Sequence, residues 1–370
     1  MQIIALITII LLAVSLQRII YNKFSFKNLE YECFFNTAEA TEGDEISLTE
    51  IIHNNKILPI QWLKVEIYTS KWLEYAKSRS SLAQETRFVT SGYYLRFFQK
   101  ITRIWKVKCQ KRGCYKIEKL TLVSSDLFGL QTCSIPLNVN AKVMVYPGFT
   151  DLNELVNITK TLTGNTIIKR WILDDPFIVS GAREYMPNDP LNRIHWKATA
   201  KQGTLMIRKN EFTAQESVRI FLNIQTFSYY HPETIDKEII ELGIKICASL
   251  IDSTLQAGFP VSIASNGFLP AASSNIFTKT LGGPVHIKNL MEILAQLTFK
   301  ITCCFDVFLE EKIESIEESQ VVFITTYLEE SLINNIINLS KRNISVTIVF
   351  LGDSYNGDLE KYGIRVFLQA

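Results

Sequence analysis

The first sixteen positions are mostly apolar and carry no charge, and Ile19-Ile20-Tyr21 extends the stretch past Gln17 and Arg18. About 20 such residues are what a helix needs to cross a bilayer, so the pattern predicts a transmembrane anchor over residues 1–22. From 29 to 147 the period changes to two. Segments 45–52, 61–68, 105–109, 114–117, 119–123 and 142–146 alternate apolar with polar residues, rich in β-branched and aromatic types, and are broken by Asn54-Asn55, Gly113 and Pro136. Short strands spaced in this way predict an antiparallel β-sandwich.

Residues 148–180 show no strong period and read as a connector. Beyond 212 apolar strands (218–225, 260–264, 320–325, 345–350, 364–368) alternate with helical stretches (234–256, 287–297, 329–338). Crossover helices between apolar strands predict an α/β domain over 212–370, with a mostly parallel sheet covered on both faces. The whole is an α+β multidomain chain.

Between connector and α/β domain, residues 181–211 concentrate unusual chemistry. Residues 186–188 read as a turn, Asp189 as an N-cap and Pro190 as a first helical residue, predicting a helix over 190–201, a stop at Gly203 and a strand over 204–209. The order Gly181-x-Arg183-x-Tyr185, Asp189-x-x-x-Arg193-Ile-x-Trp196-Lys197-x-x-Ala200, Leu205-x5-Glu211 resembles the signature of the bacterial family called domain of unknown function 58. Upstream, Lys111-Arg112-Gly113-x-Tyr115, Ser125-Asp126-Leu127-Phe128-Gly129-Leu130 and Val143-x-Val145-Tyr146-Pro147 extend the resemblance over most of the chain. Asn188 and Lys201 depart from it, standing where the family usually has Gly and Arg.

The resemblance implies a von Willebrand factor A-like C-terminal domain and a setting beside MoxR-type AAA+ ATPases. The metal site of such a domain uses Asp-x-Ser-x-Ser after the first strand. Here Asn223 replaces the leading Asp and no hydroxyl pair follows at the right spacing, so the site reads as degenerate and no cofactor is expected.

The net charge of +2 gives no general reason to expect nucleic acid. The charge is uneven, however. Residues 100–119 carry eight Lys/Arg against one Glu, and 306–318 carry six Asp/Glu against one Lys. Solvated faces are the ordinary reading of such runs; as docking surfaces they would act through Lys108, Lys111 and Arg112 on one side and Glu310, Glu314 and Glu317 on the other. Seven cysteines with no paired framework favour a reducing compartment. Cys109 and Cys114 flank a turn, and Cys303-Cys304 reads as part of a strand.

Arg18, Lys23 and Lys27 follow the apolar run, and none of its residues is preceded by Lys or Arg. That asymmetry favours a membrane anchor with a cytoplasmic remainder over the competing cleaved signal around Ala13-Val14-Ser15. There is no Gly-x-Ser-x-Gly, no phosphate-binding Gly-rich loop and no His-Glu-x-x-His. Gly181, Arg183, Tyr185, Asp189, Arg193, His195, Trp196 and Lys197 therefore read as structural, forming a buried connection between the two domains. The expectation is a non-enzymatic adaptor in the cell membrane, with membrane lipid and a MoxR-like AAA+ ATPase as partners and an oligomeric state the sequence leaves open. The alternative is a small-molecule or cell-wall-related enzyme using Asp189, Arg193 and His195.

Overall fold

The computed structural model describes residues 2–76, 78–150, 181–185, 194–209, 217–227, 235–270, 275–342, 344–352 and 359–368. Two compact units emerge: residues 1–148 with 291–297, and 149–290 with 298–370.

The first unit begins with helix α1 (Gln2–Phe24), long and apolar enough to cross a membrane. Ten strands follow: β1 (Leu29–Phe35), β2 (Glu39–Thr41), β3 (Glu45–Asn54), β4 (Ile60–Ser70), β5 (Leu73–Tyr75), β6 (Arg79–Ala83), β7 (Thr86–Leu95), β8 (Lys100–Cys109), β9 (Gly113–Ser125) and β10 (Thr132–Tyr146). They form a four-stranded sheet, β1-β3-β8-β5, and a six-stranded sheet, β2-β10-β9-β4-β7-β6. Pairing is antiparallel except between β2 and β10. One apolar cluster draws Leu48 and Ile52 from the first sheet and Val65, Ile67, Leu120 and Leu122 from the second. Each such side chain withdrawn from water contributes roughly 1.5–3 kcal/mol.

Segments 114–117 and 119–123, which read as two strands, are one strand, β9. The alternation breaks because Glu118 and Lys119 are both exposed between buried Ile117 and Leu120, and the register with β10 shifts at this point. A β-bulge, not a turn, causes the break. Pro136 likewise lies inside β10, opposite Thr121 and away from Met144–Tyr146, the stretch that pairs with β2.

The second unit contains β11 (Gly181–Glu184), α2 (Trp196–Gln202), β12 (Met206–Lys209), β13 (Val218–Leu222), α3 (Lys237–Gln256), β14 (Val261–Ser265), β15 (Gly267–Phe268), β16 (Ile276–Phe277), α4 (Pro284–Gln296), β17 (Thr298–Ile301), α5 (Phe305–Lys312), β18 (Gln320–Thr325), α6 (Glu330–Lys341), β19 (Ser345–Phe350) and β20 (Arg365–Leu368). Residues 291–297, at the end of α4, group with the first unit. The main sheet runs β16-β14-β13-β18-β19-β20, parallel throughout except for β16 at one edge. All five residues of β13 and of β14 are buried, as a sheet covered on both faces requires. Phe221 stacks on Phe323 at 5.0 Å, with Phe305 and Phe308 edge-on to it. On the other side α3 approaches through Gly243, where a Cβ would lie only 3.0 Å from Leu351 Cδ1. Cys303 and Cys304 lie in the bend before α5 rather than on a strand, and Cys304 is its N-cap residue.

Candidate functional site

Chain order and sheet order disagree between β13 and β18. From β13 the chain moves outward to β14 on one side, then returns to add β18, β19 and β20 on the other. Such a switch point opens a crevice beyond the C-terminal ends of two parallel strands, where open α/β sheets bind ligands. Here the crevice is stitched with neutral hydrogen bonds. Asn223 Nδ2 donates to Thr325 Oγ1 (3.1 Å), and Asn223 Oδ1 accepts from the Gln225 amide (2.9 Å). Thr326 Oγ1 donates across the gap to the Gln225 and Thr226 carbonyls (3.2 and 2.9 Å). Gln225 Oε1 accepts from the Phe305 amide at the start of α5, its Nε2 donates to the Phe227 carbonyl, and Asn266 Oδ1 accepts from the Ile224 amide.

This donor set does not fit a divalent cation. Asn223 has both amide atoms engaged and brings no charge, whereas hard cations need several oxygens, carboxylates among them. Asp306 takes a hydrogen bond from Ser331 on one oxygen (2.7 Å) and buries the other without a partner. Among the described residues no three His, Cys, Asp or Glu side chains gather into a metal-binding group. Burial, with the Asp306 charge second, pushes the Tyr327 hydroxyl well above its ordinary value, so at neutral pH it is a hydrogen-bonding group and no nucleophile.

In the signature segment, β11 pairs antiparallel with β12, setting Gly181 opposite Lys209 and Arg183 opposite Ile207. The helix described after β11, α2, begins at Trp196, with Ile194 and His195 outside it, while the Asp189-Pro190 start lies outside the described residues. Its N-cap is His195, whose Nδ1 accepts from the Ala198 amide (3.2 Å), and it stops at left-handed Gly203 as the sequence indicates. An imidazole acting in this way carries its proton on Nε2, which commits Nδ1 to structure. Ile194 and Met206 anchor the segment by burial. Trp196, by contrast, is 68% exposed, Lys197 is exposed, Tyr185 is half-buried, and no residue of α2 is buried. Trp196 therefore stands in solvent rather than in the buried connection expected of it. Asp189 and Arg193, together with the side chain of Arg183, lie outside the described residues.

The charged candidates divide. Lys108 is exposed on β8, and Lys111 holds its ammonium 4.4 Å from the Trp72 ring. Arg112 is buried: its guanidinium donates to the carbonyls of Leu294 (2.6 Å), Ala295 (3.3 Å) and Leu297 (2.9 Å), satisfying a helix end that would otherwise leave acceptors unmade. Its charge is spent on that helix end and does not face solvent as a docking group would. Glu310, Glu314 and Glu317 are all exposed.

Two buried polar centres have no counterpart among the expected sites. Arg219 and Glu318 form an ion pair at 2.5 Å, both nearly inaccessible, with the Thr280 hydroxyl on the same carboxylate and the Phe277 ring 3.9 Å from the guanidinium. Burial alone would raise the Glu318 carboxyl; the Arg219 and Thr280 hydrogen bonds and the Arg219 charge outweigh it and hold the group below 4.5. Glu50, on the inward row of β3, accepts from Tyr31 (2.7 Å), Tyr93 (2.5 Å) and Trp105 (2.6 Å). Each carries a signal, a charge inside the apolar run 218–222 and a charge in phase with Ile46, Leu48 and Ile52.

Among solved structures, the chain is similar to a non-cellulosomal cohesin from Archaeoglobus fulgidus (13% identity, 35% of this chain and 97% of that one, TM-score 0.23). It is also similar to the CARDB domain of a Pyrococcus furiosus protein (12%, 32% and 91%, TM-score 0.21) and to the major pilin SpaD of Corynebacterium diphtheriae (10%, 34% and 38%, TM-score 0.24). At these scores the likenesses carry no argument. A search of curated proteins finds no sequence match. The one family-level finding falls on the signature and the first half of the parallel-sheet unit: residues 181–296 match the model described as protein of unknown function DUF58.

Proposed function

We propose that this chain is a membrane-anchored, non-enzymatic adaptor that works beside a MoxR-like AAA+ ATPase in assembling or maturing other complexes. In this reading the first unit is a β-sandwich held at the cell membrane by α1, the second is a von Willebrand factor A-like domain without its metal, and both face the cytoplasm. The observation that carries it is the stitched switch point. Where an enzyme or a metal-dependent adhesion domain of this topology would keep reactive groups open, Asn223, Gln225, Thr325 and Thr326 are spent on one another. What remains outward is charge suited to docking, Glu310, Glu314 and Glu317 on α5 and the turn after it. The enzyme alternative loses support because His195 spends Nδ1 as a helix cap.

Affinity capture of the full chain from detergent extracts tests the partner. The expected eluate contains a MoxR-like AAA+ ATPase; an eluate without one contradicts the proposal.

A further inference from the structure

We propose that the end of the first unit beside α1 is a lipid-contacting surface, and that the loop at 127–130 inserts its apolar tip into the bilayer next to that helix. The inference rests on the anchoring reading of α1 and goes beyond it, because a helix can span a membrane while its attached domain stays clear of the lipid.

The loop is one of the sequence motifs that the proposed docking role leaves unused. Between β9 and β10 it is closed by its own backbone: the Asp126 amide donates to the Gln131 carbonyl and the Gly129 amide to the Asp126 carbonyl (both 3.1 Å). Buried Asp126 also takes the Gln131 amide on Oδ1 (3.2 Å), and Gly129 supplies the left-handed residue, φ 69°, that the turn needs. This rigid frame displays Leu127, Phe128 and Leu130, with Phe128 and Leu130 each 64% exposed. Three large apolar side chains on a closed polar frame form a ready wedge with no apolar cover of their own.

The root of the loop is tied to the helix. Arg18 Nε donates to Gln131 Oε1 (2.5 Å), and the Cys133 thiol donates to Asn22 Oδ1 (2.7 Å). These two bonds fix a direction. Passing from Cys133 back to Gln131 moves along α1 from Asn22 to Arg18, so the tip at 127–130 continues toward the uncharged run that ends at Leu16. At a rise of about 1.5 Å per residue, Arg18 and Asn22 span about 6 Å, the depth of the headgroup layer in which an arginine snorkels.

Neighbouring loops agree. β-Ladder register places Leu63 opposite both Ser124 and Tyr93, so the ends of β4, β7 and β9 lie side by side. From that end project Ile57, Trp62, Phe97 and Phe98, each more than half exposed. Lys56 ties the group to the helix exit, donating to the carbonyls of Ser25 (2.5 Å) and Lys27 (2.8 Å), while the Phe98 amide donates to the Lys56 carbonyl. Phe24, with the Lys23 and Lys27 ammonium groups 5.8 and 5.7 Å from its ring, closes the patch with the cations that lipid phosphates attract. Aromatic rings beside lysines at the end of an apolar helix match the chemistry of a bilayer interface.

Photo-crosslinking of the full chain in phosphatidylcholine–phosphatidylglycerol nanodiscs with alkyne-tagged acyl chains tests this. Benzoylphenylalanine replaces, in separate preparations, Phe128, Leu12 within the helix, or Tyr362, which is exposed in the second unit. Phe128 is exposed, so an aromatic replacement leaves the fold intact. The expected result is lipid adduct at Leu12 and at Phe128, each about tenfold above Tyr362. Adduct at Leu12 with none at Phe128 overturns the wedge and leaves the anchor standing; adduct at neither overturns both.

Discussion

Glu50 shows how a single residue can tie two sheets together. Its carboxylate collects hydrogen bonds from Tyr31 and Trp105 in its own sheet and from Tyr93 in the other, and the Arg103 guanidinium lies 4.0 Å from the Trp105 ring. Removing the acceptor strands three buried or half-buried donors, each costing on the order of 1–3 kcal/mol. Glu50→Ala is therefore expected to lower the unfolding free energy by about 3 kcal/mol or more, read from denaturant titration; an unchanged midpoint would show that the three donors find other partners. The cysteines give a second residue-scale prediction. Burial pushes the Cys33 thiol up to about 12, with the Glu50 charge adding to it, and the Cys109 thiol to about 11, while Cys304 is exposed. Since the thiolate is the reactive form, maleimide at neutral pH is expected to label Cys304 and to spare Cys33, Cys109 and fully buried Cys247 until denaturant is added. Early labelling of Cys33 in mass spectra would contradict that packing.

At the scale of elements, the ion pair between β13 and the turn before β18 sets an acid limit on the second unit. Glu318 is held below 4.5 in the fold, so the unfolded chain binds its proton first as pH drops. The contribution is fully present above 4.5 and is lost as pH falls through the lower folded value. Thermal melts are expected to fall below pH 4.5, and Glu318→Gln to flatten that fall while lowering stability at neutral pH, because Arg219 then stays buried beside a neutral partner. An equally steep fall in the variant would place the acid sensitivity elsewhere. These elements also show what the sequence carries. The apolar runs of β13, β14, β18 and β19 are buried on both faces and stand out without help. The pattern misled where period and hydrogen bonding part company: at the β9 bulge, and at Pro136, which lies within β10 instead of breaking it.

At the scale of the whole molecule, the proposed adaptor role draws on an apolar helix, an all-strand unit and a parallel-sheet unit. The sequence makes the switch point visible only as a missing Asp at Asn223; that its neighbours close the gap with amide and hydroxyl pairs depends on side-chain placement across two strands about a hundred residues apart, which no local pattern encodes. Arg112 shows the same limit, since a basic run reads alike whether its members face solvent or cap a distant helix. The acidic face is what the proposed partner would meet, and rim charges act mainly on association rate and salt dependence. The most direct test is the binding of a purified MoxR-like AAA+ ATPase to the full chain in nanodiscs, compared with a Glu310→Lys, Glu314→Lys, Glu317→Lys variant. The account predicts binding that weakens with salt and drops about tenfold or more in the variant; equal binding by both chains, or none by either, would contradict it.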